Sequence, residues 1–370
     1  MDRQLKILHI VNRVGNGGSE SGTINLARGQ AHFHHVRVVG IKPPLKTNQD
    51  IAGALIKLLE QDGVGYHELN FSNLPPRLFV AAFRLKSIIQ SFEPDIVHLH
   101  TDHPEYLFSI IKPWVKCLVV RTIRNTVFWP TSTYRGRFTE RRITDAVTVH
   151  FDHDNIASLN RRRAEFGLKP PTTIEVIPNA INRHCETNSA EAPVQYHEGF
   201  VNLGYIGRLS SQKGPDILFQ ALEQLPAHTV VLHVIGDGED KQKLMKMAES
   251  IQQEIIFYGA VPFARQYIKV FDYLVVPSRY EGFGLVSLEA QLEKTPVIAA
   301  RSPGLLNSLP EEWPLLFDNE NSKQLAELLT RLIDGQDDYT ETVKTGYENA
   351  LNYTMEAQVR RYTDLYLRYL

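Results

Sequence analysis

Short runs of β-branched and other apolar residues recur along the chain, each followed by a longer stretch with apolar residues at helical spacing. Runs at 5–11, 36–40, 95–99, 118–123, 146–149 and 174–177 predict strands in the first half. Runs at 201–206, 229–235, 255–258, 273–276 and 297–300 predict strands in the second. Helical spacing fills the gaps, for example over 215–225, 241–251 and 285–293. Apolar strands alternating with helices imply parallel sheets with crossover helices. Segment 182–198 is polar and strand-poor, which marks a linker. The pattern therefore predicts an α/β chain of two tandem Rossmann-like, doubly wound domains, over 1–180 and 181–354. Residues 355–370 read as an amphipathic helix expected to pack back on the first domain. Open α/β sheets bind ligands beyond the carboxyl ends of their strands, so two such domains are expected to face a cleft.

Composition narrows the class. A chain of 370 residues suits two domains of intermediate size. With 43% hydrophobic and 22% charged residues it is globular, which excludes a disordered, collagen-like or coiled-coil chain. Cys117 and Cys185 make no disulfide framework and no CxxC metal pair, so a cytoplasmic location is expected. No apolar run approaches the roughly 20 residues of a membrane helix. The apolar run 7–11 is broken by Asn12 and Arg13, and is expected to be a first strand rather than a signal peptide. Residues 1–180 carry 23 Lys and Arg against 16 Asp and Glu, whereas residues 181–370 carry 17 against 26. The halves are thus expected to meet different partners. Nucleic acid is not among them, because the second half is acidic and no binding module is visible.

Candidate chemistry lies in the loops. Gly17 and Gly18 in the loop 12–20 suit either a phosphate contact or a tight βα turn. A nicotinamide cofactor is disfavoured: the GxGxxG pattern is incomplete, and Gly40-Ile41-Lys42 ends the second strand without an acid for a ribose. In the second half, Arg208 and Lys213 flank a polar loop that opens a helix; they suit a diphosphate or are surface cations. Gly236-Asp237-Gly238-Glu239 reads as a helix cap. Glu281 and Glu289 stand eight residues apart, one in a loop and one in a helix whose first amides, near Gly284 and Leu285, face outward for a phosphate. Their carboxylates suit sugar and ribose hydroxyls, the alternative being a loop acid and a solvated helix acid.

Other residues fall outside this set. Asp152-His153-Asp154 has the form of a metal-binding DxD but follows a strand and opens a helix, so capping is expected. His98 and His100 lie on the fourth strand and are expected on opposite faces, His98 in packing and His100 near the cleft. Asp102 and His103 extend that edge toward an acceptor. A zinc site is not expected, because no third ligand is close in sequence. The clusters Arg135–Arg137, Arg141-Arg142 and Arg161–Arg163 read as solvated helix faces. With Phe128, Trp129, Tyr134 and Phe138 beside the first cluster, an interfacial or anionic surface is the other reading.

Taken in order, Gly207-Arg208-x4-Lys213-Gly214, Ile235-Gly236-Asp237-Gly238, Tyr258-Gly259 and Glu281-x7-Glu289 resemble family 4 retaining glycosyltransferases of GT-B architecture. Gly17-Gly18-Ser19-Glu20, Asp95 to His100 and Val176-Ile177-Pro178-Asn179 extend the resemblance over nearly the whole chain. It implies that Arg208 and Lys213 hold a donor diphosphate, Glu281 the donor sugar and Glu289 the ribose. It also implies that the amides of Gly284 and Leu285 cap the distal phosphate, that Phe257 to Gly259, with Tyr258, border the base, and that the Gly17-Gly18 loop closes on the donor. Three positions depart from the pattern: Arg124 stands in a usual His place, Lys294 in a usual Gly place, and Pro303-Gly304-Leu305-Leu306-Asn307 where Gly-Gly-x-x-Glu is usual.

The expected activity is retaining transfer of a hexose-type sugar from a nucleoside diphosphate sugar to a polysaccharide or glycolipid, with no obligatory metal or cofactor. Arg124 joins Glu281, Arg208 and Lys213 as a catalytic candidate, and His100, Asp102 and His103 form the acceptor side. Peripheral contact with an anionic membrane, at its inner face, is expected for the basic half. Rival readings are a sugar-nucleotide epimerase on the same architecture and a catalytically silent nucleotide-sugar-binding subunit.

Overall fold

The computed structural model describes residues 3–15, 18–44, 49–71, 76–123, 133–143, 146–149, 153–171, 173–183, 194–261, 263–336 and 338–370. The chain forms two compact units, one of Met1–Ala180 with Met355–Leu370, the other of Ile181–Thr354. Where the chain enters and leaves the second unit, Ile181 and Thr354 pair as an isolated parallel bridge.

In the first unit seven strands form one parallel sheet: β1 (Lys6–Val11), β2 (His35–Gly40), β3 (Gly65–Glu68), β4 (Ile96–His100), β5 (Leu118–Ile123), β6 (Ala146–Val149) and β7 (Ile174–Val176). Their spatial order is β3-β2-β1-β4-β5-β6-β7, so the winding reverses between β1 and β4. The central strands are rich in apolar residues because both faces of the sheet are covered. Ile7, Val36 and Val38 pack with helix α1 (Gly18–Ala31), α2 (Gln49–Gln61) and the last helix, α12 (Met355–Tyr369). Leu8, Ile10, Val97 and Leu99 pack on the other face with α3 (Arg77–Phe92) and α4 (Asp102–Ile111). Helices α5 (Thr133–Arg142) and α6 (His153–Glu165) follow β5 and β6.

Helix α12 docks through close contact and through polar bonds. Gly29 admits Met355 and Val359, each 3.0 Å from where a Cβ at Gly29 would lie. Tyr362 and Tyr366 are wholly buried. The Tyr366 hydroxyl bonds His98 Nδ1 at 2.7 Å, and Gln358 Nε2 donates to the carbonyl of Pro178 at 2.6 Å.

The second unit holds β8 (Val201–Ile206), β9 (Val230–Ile235), β10 (Glu254–Gly259), β11 (Tyr273–Val276), β12 (Val297–Arg301) and β13 (Leu316–Asp318). The order is β10-β9-β8-β11-β12-β13, with the reversal between β8 and β11. The helices are α7 (Pro215–Leu222), α8 (Lys241–Ala248), α9 (Leu285–Leu292), α10 (Ser322–Ile333) and α11 (Tyr339–Leu351). The predicted strands form, and two more appear. β3 and β13 are edge strands of four and three residues. Edge strands pair through backbone on one side only and need no apolar run, so hydropathy does not reveal them. Most of the predicted linker lies outside the described residues.

Candidate functional site

In the second unit the loops after β8 and β11 leave the sheet on either side of the strand reversal, the usual ligand position in such sheets. The loop after β8 carries Arg208 and ends in the tight turn Ser211–Lys213. The Tyr205 hydroxyl donates to the carbonyl of Arg208 at 2.8 Å and holds the loop against the sheet. The Arg208 side chain is exposed and makes no hydrogen bond or ion pair among the described residues. Lys213 is bound: its Nζ lies 2.7 Å from each carboxylate oxygen of Glu281, 68 residues further on. Ser278 Oγ donates to Glu281 Oε1 at 2.8 Å. The Glu281 side chain is 8% exposed and that of Lys213 29%, so this charge pair faces solvent through the lysine.

Arg279 clamps the two loops together. Its guanidinium forks onto Asp216 at 2.9 and 3.0 Å, pairs with Glu320, and donates to the carbonyl of Ser211. Its amide donates to the carbonyl of Gln212 at 2.9 Å. Lys213 and Glu281 are thereby held in register by backbone as well as by their own contact. Ser278 and Arg279 escaped the sequence analysis; the signal was their place in the polar turn just before Glu281.

Helix α9 starts beside this pair. Gly284, at φ 71, is its N-cap; the amides of Ser287 and Leu288 bond its carbonyl, and those of Leu285 and Val286 stand before the first helical hydrogen bond. They can receive an anion. The loop of Glu281 rests on Gly304, where a Cβ would lie 1.9 Å from the Glu281 carbonyl oxygen, while the Glu281 amide donates to the carbonyl of Pro303 at 3.0 Å. Glu289 stands further along α9. Burial pushes its carboxyl up to about 7, with Arg265 opposing and Glu293 adding to the rise.

Gly236 and Gly238 do not build a helix cap. A Cβ at Gly236 would lie 1.9 Å from the Gly207 carbonyl oxygen, and one at Gly238 would lie 2.3 Å from that of Leu209. These glycines let the loop after β9 run against the Arg208 loop; α8 begins only at Lys241, without a side-chain cap. Lys294 sits at φ 63, just past α9. Its amide bonds Gln291 O and that of Thr295 bonds Ala290 O, the pairing that ends a helix on a left-handed residue. Tyr258 stacks on His233 at 13° and bonds its Nδ1 at 3.0 Å, so it is held along the sheet face.

In the first unit Gly18 opens α1, while Gly17 and Arg124 lie outside the described residues, as do Phe128, Trp129 and Asp152. Positions two apart on a strand share a face. His98 and His100 accordingly pack ring against ring, their centres 4.0 Å apart, contrary to the expectation of opposite faces. His100 is 1% exposed, inside the sheet rather than at its acceptor edge. His9, from the neighbouring strand, joins them, with ligand nitrogens of all three within 4.8 Å. That third histidine is distant in sequence, which is why spacing missed it. Their rings meet at 29° and 32°, and bond one another, Gln30, Thr122 and Tyr366. The cluster is a buried polar fastening for α12.

Asp102 and His103 open α4. Burial, Lys42 and Arg13 lower His103 to about 4. Of the arginine clusters, Arg162 and Arg163 are not solvated: both are buried on Glu140, which also binds Arg121 at 2.8 Å. Three guanidinium groups hold the Glu140 carboxyl down at about 2 despite its burial.

The chain matches the family models "Glycosyl transferases group 1" over residues 193–349 and "Glycosyltransferase Family 4" over residues 16–184. It is 24% identical over 366 residues to the lipopolysaccharide core biosynthesis glycosyltransferase LpsE of Rhizobium meliloti, covering 96% of each chain. It is 30% identical over 178 residues to a D-inositol 3-phosphate glycosyltransferase of Corynebacterium urealyticum, covering 44% of this chain and 42% of that one. Against these inositol 3-phosphate enzymes the match spans about half their length or less. Anabaena Alr3699/HepE, solved in complex with UDP and glucose, shares the fold, with a TM-score of 0.71 at 20% identity over 99% of this chain and 100% of that one.

Proposed function

We propose, from the premise that this chain belongs to the group 1 and family 4 glycosyltransferases, that it moves a sugar with retention from a nucleoside diphosphate sugar to a polysaccharide or glycolipid acceptor. The observation that carries this reading is the Lys213–Glu281 pair, bonded by Ser278, at the start of α9. A cation, a hydroxyl-binding carboxylate and outward amides within one loop cluster suit a diphosphate joined to a sugar. Alr3699/HepE, of the same fold, was solved with UDP and glucose, which supports a donor of this class.

In this reading Arg208 and Lys213 bind the diphosphate, the amides from Gly284 and Leu285 cap its distal phosphate, Glu281 holds the sugar and Glu289 the ribose. The bond from the sugar's anomeric carbon to the diphosphate breaks. A bond to the acceptor oxygen forms on the same face, and the acceptor proton passes to the departing phosphate. Catalysis then rests on stabilising the leaving charge and on positioning, with no obligatory metal. Arg124, fixed as a cation, adds to that stabilisation. The first unit takes the acceptor through Asp102 and His103, with the Gly17-Gly18 loop on the donor, and contacts an anionic membrane surface.

Calorimetry with UDP, GDP and ADP and their sugars tests the reading. One nucleotide series is expected to bind, and to lose affinity in Arg208→Ala. Binding by none of them overturns it. Turnover without an acceptor favours an epimerase, and binding without any turnover a silent subunit.

A further inference from the structure

The strand reversal of the first unit brings together the chain segments that follow β1, β2 and β4. Register sets Val11 beside Gly40 and Ile10 beside Leu99, so the residues that follow β1, β2 and β4 emerge side by side. The amide of Lys42 donates to the carbonyl of Asn12 at 2.8 Å. Lys42 Nζ lies 5.8 Å from the centre of the Phe71 ring, and that ring meets His103 edge-on at 6.2 Å. Asn12, Arg13, Lys42, Phe71, Thr101 and His103 thus line one spot at the carboxyl edge of the sheet, where such folds bind ligands.

Two cations stand there. Arg13 and Lys42 form no ion pair or side-chain hydrogen bond among the described residues. Burial and the Arg13 charge both lower the Lys42 ammonium, and no carboxylate stands among the groups that shift Lys42 or His103. Asp102, beside His103 in sequence, acts on Glu105 and Arg121 of the buried charge network. Two further observations point to a ligand. Asn12 Oδ1 and Thr101 Oγ1 are buried with no hydrogen-bond partner among the described residues. Thr101 is held at φ 76 and ψ 165, a conformation that only glycine adopts freely and that clusters at ligand sites.

We propose that this cluster at the sheet edge binds a phosphoryl group carried by the acceptor. Arg13 and Lys42 take its charge, and the Thr101 hydroxyl donates to a phosphate oxygen. Asn12 Oδ1 accepts from a neighbouring hydroxyl of the same molecule, and neutral His103 bonds a hydroxyl beside it. The assignment rests on the first unit being the acceptor side, as proposed above. The phosphoryl group belongs either to a free sugar phosphate or to a lipid-linked one.

The test uses the full chain carrying Arg208→Ala and Lys213→Ala, which silences the proposed donor site for anions. Glucose 1-phosphate is titrated by calorimetry, and the His103 ring is followed by NMR. Glucose 1-phosphate is expected to bind and glucose not, and bound phosphate is expected to raise the His103 pKa by neutralising its two cations. Arg13→Gln and Lys42→Gln should each weaken binding about tenfold or more, while Lys42→Arg keeps it. Vesicles containing a polyprenyl phosphate form the second arm; competition between the two probes shows which source binds more tightly. No binding of either probe overturns the proposal, as does binding that both glutamine variants retain with normal thermal stability. UDP binding by the unmodified chain, measured alongside, shows whether the glycosyltransferase reading stands when this one falls.

Discussion

Lys213 Nζ reaches both carboxylate oxygens of Glu281 at 2.7 Å, joining the loops after β8 and β11 by one charge pair. The lysine proposed for the diphosphate and the carboxylate proposed for the sugar are therefore a single unit. Arg208→Ala and Lys213→Ala are each expected to weaken nucleoside diphosphate binding by about 1.5–3 kcal/mol, the worth of a charge-assisted hydrogen bond. Glu281→Gln should reduce turnover more than Glu289→Gln, because it disturbs the reacting sugar and releases Lys213 as well. Calorimetry and steady-state kinetics on the four variants check this. Equal and small effects of the two glutamine variants would reject the assignment.

Glu289 sets a pH dependence. Its carboxyl rises from 4.5 to about 7, chiefly through burial. A carboxyl raised on folding adds stability below its unfolded pKa of 4.5, and that stability is lost as pH climbs through about 7. Glu289→Gln should flatten this loss in thermal melts. Nucleotide binding runs the other way: the ionised form accepts from a ribose hydroxyl, so affinity should rise from about pH 6 to about pH 8 in the unmodified chain and stay flat in the variant.

Lys294 holds a left-handed conformation at φ 63 where α9 ends. Such a position strains any residue with a Cβ. Lys294→Gly is expected to stabilise the chain by about 1 kcal/mol, the strain relieved exceeding the added freedom of the unfolded glycine. The Nζ contact over Tyr347, at 5.3 Å, is lost in exchange. A rise in melting temperature of about 2–4 °C is the readout; an unchanged or lower value would show that the ring contact outweighs the strain.

The proposed membrane contact has a candidate surface. Phe79 and Phe83 of α3 are 51% and 69% exposed, and Trp114 is 64% exposed. Lys86 Nζ stands 5.4 Å from the Trp114 ring. Helix α3 and the segment 112–116 carry five cations and no acid. Binding to anionic vesicles is expected, weakened by salt and reduced about fivefold or more by Phe83→Asp. Co-sedimentation with neutral and anionic vesicles measures it. Equal binding to both would remove the membrane reading, and unchanged binding by Phe83→Asp would move it to the Arg135 and Arg137 face.

The loops that carry Arg208, Lys213, Gly284 and Glu281 were legible because each follows a strong apolar strand and precedes a helix, a local pattern. The role of Gly236 and Gly238 was not legible: a glycine in a turn looks alike whether it caps a helix or admits a neighbouring loop. Only the contact with Gly207 and Leu209 separates the two. Arg162 and Arg163 look like a solvated run, since nothing local announces the buried Glu140 that binds them.

Alternation of apolar strands and helices, the two-unit division near residue 180 and the positions of the glycine loops were determined by the sequence itself, because periodicity and backbone freedom are properties of short segments. Strand order was not. It sets β1 beside β4 and so brings His9 to His100, 91 residues apart, and the loops of Asn12, Lys42 and Thr101 to one edge. In the same way β8 beside β11 joins Lys213 to Glu281. Such pairings depend on which crossovers bury the most apolar surface in the whole chain. The tertiary structure alone decides which distant polar side chains meet.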